Sequence, residues 1–400
     1  MLMILALAGL ALDVPHAMLN KARLQNSVDS AALGAAEVLS VTGDTVQATA
    51  MAQTVFALNS GGAGNGEMAA AVSAGDVFVE YSNTLEPFDN GVGEPRYVRV
   101  RVETFSMPPW LIQLLGFSEK NVRASAVAGP SPSLGNACDL VPLLICGDPT
   151  LPAPYFGYQD DEVTVLKSGS QTNNPCVDQD DTGSGDIGPG NFQLARLGGN
   201  GADIVRTNLA GGYEGCSALG ATIPTQPGNA TGPVASGINT RLGFFTGSIK
   251  PGDYPPDVIT EVQTNDLEHV VDQDGVCNIE QNGVVVTDSS MIDFNYNDYT
   301  ARIAAMSYDN PPPAGAFERR NLSVVIVDCE GINNGQSDMP ILGFACYFLL
   351  QRVKQNGQEA EMYGEFVEEC EAKGTAGPVP TTAQGPKRIQ LYKDVDSRDS

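Results

Sequence analysis

The chain opens on an apolar run, Met1–Leu12 (MLMILALAGLAL), that carries no charge. From Asp13 onward apolar residues return every three or four positions. Leu10, Val14, Ala17, Met18, Leu24, Val28, Ala31, Ala32, Ala35 and Leu39 fall on one helical stripe. Pro15 is costly deep inside a helix and tolerated in its first turn. Asp13 is placed to cap a helix beginning at Val14, so the segment reads as one kinked helix or two abutting ones. A second helix is expected near residues 43–59, where Val46, Met51, Val55 and Leu58 keep the period and Asn59-Ser60-Gly61-Gly62 ends it.

Strand signals follow. Val77–Tyr81, Tyr97–Phe105 and Val122–Ala128 alternate or are rich in β-branched residues. Between the last two lies SMPPWLIQLLGFSEKN, with the single tryptophan, Trp110. Gly129–Ser133 reads as a linker. Further strands are expected at residues 162–169, Leu322–Val327, Ile341–Leu350 and Gly364–Cys370. Short helices are expected at Ala202–Ala210 and within residues 224–245. Residues 246–315 read as polar and loop-rich, residues 371–386 as a linker, and Ile389–Tyr392 as a final edge strand.

Twelve apolar residues rise about 18 Å as a helix, whereas a bilayer core about 30 Å thick needs about 20 residues. A secretory signal carries basic residues before its apolar stretch and a small-residue cleavage site after it. No Lys or Arg precedes Asp13, and Asp13-Val14-Pro15 follows awkwardly on Gly9 and Ala11. The expectation is a membrane anchor whose helix begins upstream of Met1. A cleaved signal and a buried soluble helix are the alternatives.

Charge removes one class of partner. With 48 acidic against 22 basic residues and a net charge of −26, the chain lacks the basic face that nucleic acid requires. The acidity reads first as a solvated surface, and second as a site for a divalent cation. The eight cysteines are Cys138, Cys146, Cys176, Cys216, Cys277, Cys329, Cys346 and Cys370. There is no CxxC pair and there are only two histidines, so zinc is not expected. An even number in a loop-rich body with 44 Gly and 26 Pro suits disulfides in an oxidising compartment. Sequence leaves connectivity open. Cys138 with Cys146 is the natural local pair, Cys176 with Cys216 would staple the Gly-rich stretch, and one of Cys329, Cys346 and Cys370 is a partner for Cys277.

Candidate chemistry is sparse. In DQDDTGSGD, Asp178, Asp180 and Gly183 match positions one, three and six of a calcium loop, and Asp186 adds a carboxylate. Pro189 stands where an EF-hand needs its bidentate acid, so the competing reading is a solvated acidic turn. DQDG at Asp272–Gly275 is similar. Asp288 and Ser290 begin a DxSxS pattern that Ile292 breaks. A Ser-His-Asp arrangement needs a histidine. His16 lies at the membrane edge, and His269 reads as an exposed loop or helix residue. There is no GxSxG elbow and no GxxxxGK[ST] loop. No catalytic residue and no cofactor is expected, Ca2+ being the one ion the acidic loops would suit. The small residues Ala31, Ala32, Gly34, Ala35 and Ala36 form a face that either packs on the neighbouring sheet or lets a partner helix approach closely.

The helix carries a specific motif: an apolar anchor, Asp13, a spacer, then Lys21, Leu24, Gln25, Asn26, Asp29, Ala31, Ala32 and Leu33. It resembles the N-terminal signature of TadG-like pilus-assembly proteins of the tight-adherence (Flp) system. GPGNFQLARLGGNGAD, the turn at 227–234 and the succession RRNLSVVIVDC, ILGFACYFLL and GEFV resemble the periplasmic part of such proteins. The resemblance implies one N-terminal inner-membrane span and a periplasmic body, inside machinery that assembles thin adhesive pili. No Lys or Arg stands ahead of the apolar run, and no Gly-x-x-x-x-Glu prepilin cleavage pattern overlaps it. Lys21 and Arg23 taken alone would place the body in the cytoplasm, and the cysteine pattern outweighs them.

The fold class expected is α+β: a membrane or pilin-like helix with a small antiparallel sheet, then a β-dominated, loop-rich, disulfide-bonded domain. The boundaries expected are 1–40 for anchor and amphipathic helix, 41–130 for a pilin-like module, 131–370 for a periplasmic β-rich domain, and 371–400 for a linker and edge strand. The function expected is non-enzymatic. It is a membrane-anchored, minor pilin-like component or periplasmic assembly factor of Flp pili, located at the inner membrane or in the pilus at the cell surface. Leu24, Asn26, Asp29, Ala32 and Ala35 would carry helix packing, with other Tad/Flp proteins or pilins, the inner membrane, and no nucleic acid as partners. The alternatives are a calcium-dependent adhesin or surface-binding module using Asp178, Asp180 and Asp186, and a periplasmic hydrolase using His269.

Overall fold

The structure is a computed structural model, and it describes residues 2–91, 93–116, 118–168, 191–307, 315–329, 336–355, 360–377, 385–395 and 397. The chain is α+β and forms two units, Met1–Pro130 with Ile389–Ser400, and Ser131–Arg388.

Unit 1 begins with α1, Leu2–Thr42, a single helix that runs through Pro15. Of the two sequence readings of this segment, one helix or two abutting ones, the single helix is the one found, and Asp13 does not start a second. Gly43 turns the chain at φ +65, a conformation that favours glycine. Asp44 then caps α2, Thr45–Ser60, by accepting from the Val46 and Gln47 N–H groups. A short α3, Gly66–Ala71, follows. Three antiparallel strands come next: β1 Val77–Ser82, β2 Tyr97–Met107 and β3 Lys120–Pro130. Gly129 and Pro130 end β3 rather than begin a linker. The C-terminal strand Ile389–Tyr392 pairs antiparallel with β3 at the sheet's edge, with Ile389 opposite Pro130. The whole of unit 2 is thus inserted in sequence between two neighbouring strands. The core lies where α1 meets α2, β2 and β3. Leu24, Val28, Ala31, Ala32, Ala35 and Leu39 are buried there, with Ala48, Ala52 and Phe56 of α2 and Val98, Val100, Val102, Ala124, Ala126 and Ala128 of the sheet. Each large aliphatic side chain so buried is worth roughly 1.5–3 kcal/mol.

Unit 2 contains β4 Leu134–Leu140, β5 Leu144–Cys146, β6 Val163–Lys167, β7 Asn191–Ala195, α4 Ala202–Gly211, β8 Tyr213–Ala218, β9 Thr222–Pro227 and α5 Thr231–Ile238. These are followed by β10 Leu267–Val271, β11 Cys277–Gln281, β12 Val284–Val285, α6 Tyr296–Ala304, β13 Asn321–Val327, β14 Asp338–Leu349 and β15 Met362–Val367. Short strands β16 Glu369–Glu371, β17 Gly374–Ala376 and β18 Gly385–Lys387 end it. The central sheet has the order β5-β13-β14-β15-β6, with β9 joining β14 and β7 joining β9. One face buries Ile145, Val324, Tyr347 and Phe366 with Val205 and Leu209 of α4 and Val234 and Ile238 of α5. The other buries Leu144, Val325, Val327, Ile341 and Phe344 with Leu140 of β4. A strand covered on both faces reads as an unbroken apolar run, which is why β13 and β14 stand out in the sequence. Residues 246–315, expected to be loop-rich, also hold the β10–β12 sheet and α6.

The disulfides overturn the local pairings. Cys138 bonds Cys216, not Cys146, because β4 pairs with β8 in a register that sets these two residues opposite each other. Cys146 bonds Cys329, since β5 runs parallel to β13 and both cysteines lie at the ends of that pair. Cys346 of β14 bonds Cys370 of β16. Cys277 is disulfide-bonded, yet to none of the last three cysteines. Cys176 lies outside the described residues.

Candidate assembly interface

The N-terminal half of α1 has two unlike sides. On one, Asp13 is 1% exposed. Its carboxylate accepts from the backbone N–H groups of Trp110 (2.7 Å), Leu111 (2.9 Å) and Ile112 (2.8 Å) and from the Lys120 ammonium (2.8 Å). Those amides open the 3-10 turn Ile112–Leu115, whose first N–H groups have no partner inside the turn. Asp13 is thus a cap after all, for a turn about a hundred residues away. Lys120 Nζ also lies 2.9 Å from His16 Nδ1. His16 stacks on Trp110 with ring centroids 4.1 Å apart, and its Nε2 lies 2.8 Å from Glu67 of α3. Asn20 donates to Glu67 at 3.1 Å. Asp13, Lys120, His16 and Glu67 form a chain of polar contacts that ties α1 to α3, to residues 110–112 and to β3.

On the other side apolar groups face outward: Leu10, Leu12, Val14, Met18 and Leu19 are exposed, Met18 by 68%, and Trp110 is half exposed. Single exposed apolar residues are ordinary; a contiguous set marks an interaction surface. Val14, Met18, Ala22 and Asn26 are all exposed, and their spacing of four places them on one ridge. The stripe read from the sequence therefore changes partner along the helix: solvent-facing before Asn20, core-facing from Leu24.

This division sorts the residues expected to carry assembly. Leu24, Ala32 and Ala35 have no exposure, and a Cβ on Gly34 would stand 3.1 Å from Val55 of α2. Of the two readings of the small-residue face, packing within the module is the one seen: α2 and the sheet cover it. Gln25 donates to Asp29 at 2.8 Å and to the Ser125 carbonyl of β3 at 2.9 Å, and burial pushes the Asp29 carboxyl above its ordinary pKa. Of the five, Asn26 alone is exposed.

Asp178, Asp180 and Asp186 lie outside the described residues. Among the described residues no cluster of three or more His, Cys, Asp or Glu side chains could hold a metal. Asp272 accepts from the Asp274 and Val276 N–H groups in the turn between β10 and β11. Asp288 accepts from Ser290 N–H at the start of a 3-10 turn. His269 lies on β10, a strand rather than the expected loop or helix. Glu67, Trp110 and Lys120 escaped the sequence reading. The available signal was an Asp and a Pro interrupting an otherwise apolar helix.

Two family models match the N-terminal part of the chain. Residues 1–38 match the family described as "Putative Flp pilus-assembly TadE/G-like", and residues 33–128 match "Putative Tad-like Flp pilus-assembly". No curated protein and no solved structure matches the chain.

Proposed function

We propose that the chain is a non-enzymatic component of Flp pilus assembly, anchored in the inner membrane by the N-terminal half of α1, because residues 1–38 and 33–128 match Flp pilus-assembly family models. The observation that carries this reading is the outward apolar side of α1 set against an internally satisfied Asp13. An ionised carboxylate in apolar surroundings costs several kcal/mol unless it is paired and hydrogen-bonded. Here three amides and an ammonium supply those bonds, so the segment presents Leu10, Leu12, Val14 and Met18 without presenting a charge. Half-exposed Trp110 marks the level of the headgroups, where tryptophan is favoured. Among the described residues no helix is long and apolar enough to cross a membrane. The reading therefore concerns insertion of an apolar face, with the disulfide-bonded body in the periplasm meeting other pilus proteins.

Cell fractionation with protease treatment of spheroplasts tests this. Inner-membrane recovery with a protease-accessible body supports the anchored component. Recovery in sheared pili moves the protein to a minor-pilin role, in which the same face packs among helices. A soluble cytosolic protein with reduced thiols would refute both.

A further inference from the structure

Unit 2 buries a lysine that nothing above uses. Lys167 closes β6 and has no exposure. Its Nζ donates to the Ser168 carbonyl at 3.0 Å and to Asn229 Oδ1 at 2.6 Å, both neutral acceptors. Asn229 sits in the turn between β9 and α5, flanked by Gly228 at φ +94 and Ala230 at φ +46. A left-handed alanine is strained and persists only where its surroundings impose it, so this turn holds the Asn229 amide against Lys167. Across the β6–β15 pairing Lys167 faces Met362. The preceding residue, Glu361, acts on the ammonium through its charge, and its Oε2 accepts from the buried Tyr363 hydroxyl at 2.7 Å.

Burial disfavours the charged form of an amine. It lowers the Lys167 pKa to about 7, against the opposing pull of Glu361. A large share of the side chain is then neutral amine at neutral pH, and a neutral, desolvated amine is a nucleophile. A primary carboxamide and a nucleophilic amine are therefore in hydrogen-bond contact, within the field of the Glu361 carboxylate.

We propose that Lys167 and Asn229 become joined by an intramolecular amide bond, formed without any other enzyme, which cross-links β6 to the turn before α5. The Nζ lone pair attacks Asn229 Cγ, forming the Nζ–Cγ bond. Glu361 takes a proton from Nζ and delivers it to Nδ2. The Cγ–Nδ2 bond breaks and ammonia leaves. One amine and one primary amide become one secondary amide and one ammonia, so no oxidant, reductant or co-reactant is required. The product removes the cost of a buried ammonium and adds a covalent tie to a domain that already relies on disulfides.

The test is the intact mass of the purified, reduced and denatured full chain, followed by peptide mapping. The expected result is a mass one ammonia below that of the sequence, with a branched peptide joining residues 167 and 229. Lys167→Arg, Asn229→Ala and Glu361→Gln should each restore the sequence mass. A full sequence mass in the unaltered protein overturns the proposal without any need for the variants to fold. So does an ammonia loss that persists in Asn229→Ala or maps to a cyclised Asn282-Gly283.

Discussion

Unit 1 contains none of the eight cysteines and unit 2 contains all of them. The difference follows from how each keeps its elements together. In unit 1 one long helix lies on one small sheet, and polar contacts finish the job: Gln25 to Ser125, and Asp13 to residues 110–112 and Lys120. In unit 2 the central sheet draws strands from residues 144 to 367, so long stretches of chain must be closed on themselves. A cross-link that closes a long loop removes most entropy from the unfolded chain. The Cys146–Cys329 bridge spans 183 residues, a closure worth roughly 5 kcal/mol on the chain-entropy account.

Reduction is therefore the largest lever on this contrast. Hydrogen exchange followed by mass spectrometry, with and without reductant, should show peptides from 131–388 losing protection. Peptides from 1–130 should keep theirs. Equal loss in both units would show that they do not differ in the way described.

The converse perturbation is Leu24→Ala. Leu24 has no exposure in the core of unit 1, and deletion of such a side chain costs about 2–5 kcal/mol. The loss of protection should fall on unit 1 peptides and leave unit 2 untouched. If unit 2 opens as well, the two are one cooperative body.

Unit 2 also carries a pH dependence centred on one buried carboxyl. Glu365 of β15 is buried, and burial pushes its carboxyl from the ordinary 4.5 up to about 7. Between those values the folded state holds a proton that the unfolded state has released. Stability therefore falls as pH rises through this window, and the penalty is complete above it. Glu365→Gln removes the ionisation. It should raise the stability of unit 2 by up to about 3 kcal/mol above pH 7 and change little near pH 4. Urea melts at the two pH values decide the matter, and an equal gain at both would show that charge is not the cause.

What was legible in the chain tracks the same contrast. In unit 1 α1 packs on α2 and each of the three strands pairs with the next, so α2 and these strands emerge within a few residues of their true bounds; Ile389–Tyr392 emerges from its own apolar alternation, although its partner is β3. Strands β13 and β14 of unit 2 are visible as apolar runs because helices and strands cover both faces. Their order is not visible, nor is the pairing of cysteines: Cys138 and Cys146 are close in sequence but belong to β4 and β5, which join different sheets. Asp13 shows the limit most clearly. Its residue type announced a cap, but the capped amides begin at Trp110, 97 residues on, and no local pattern reports that.

The smallest expected effect on stability bears most directly on function. Asn26 stands inside the motif LQNSVDSAA, yet its neighbours Leu24, Gln25 and Asp29 serve the interior of unit 1, whereas Asn26 continues the exposed ridge of Val14, Met18 and Ala22. A surface substitution away from caps, cores and networks alters stability by no more than about 0.5 kcal/mol, so Asn26→Ala should leave the melting of unit 1 unchanged. If the ridge meets a partner in the pilus machinery, the same variant should reduce surface piliation while the protein remains at its normal level in the membrane fraction. Leu24→Ala is the control for loss through unfolding, since it should lower protein level and piliation together. Normal piliation with Asn26→Ala would confine the interface to the apolar residues before Asn20.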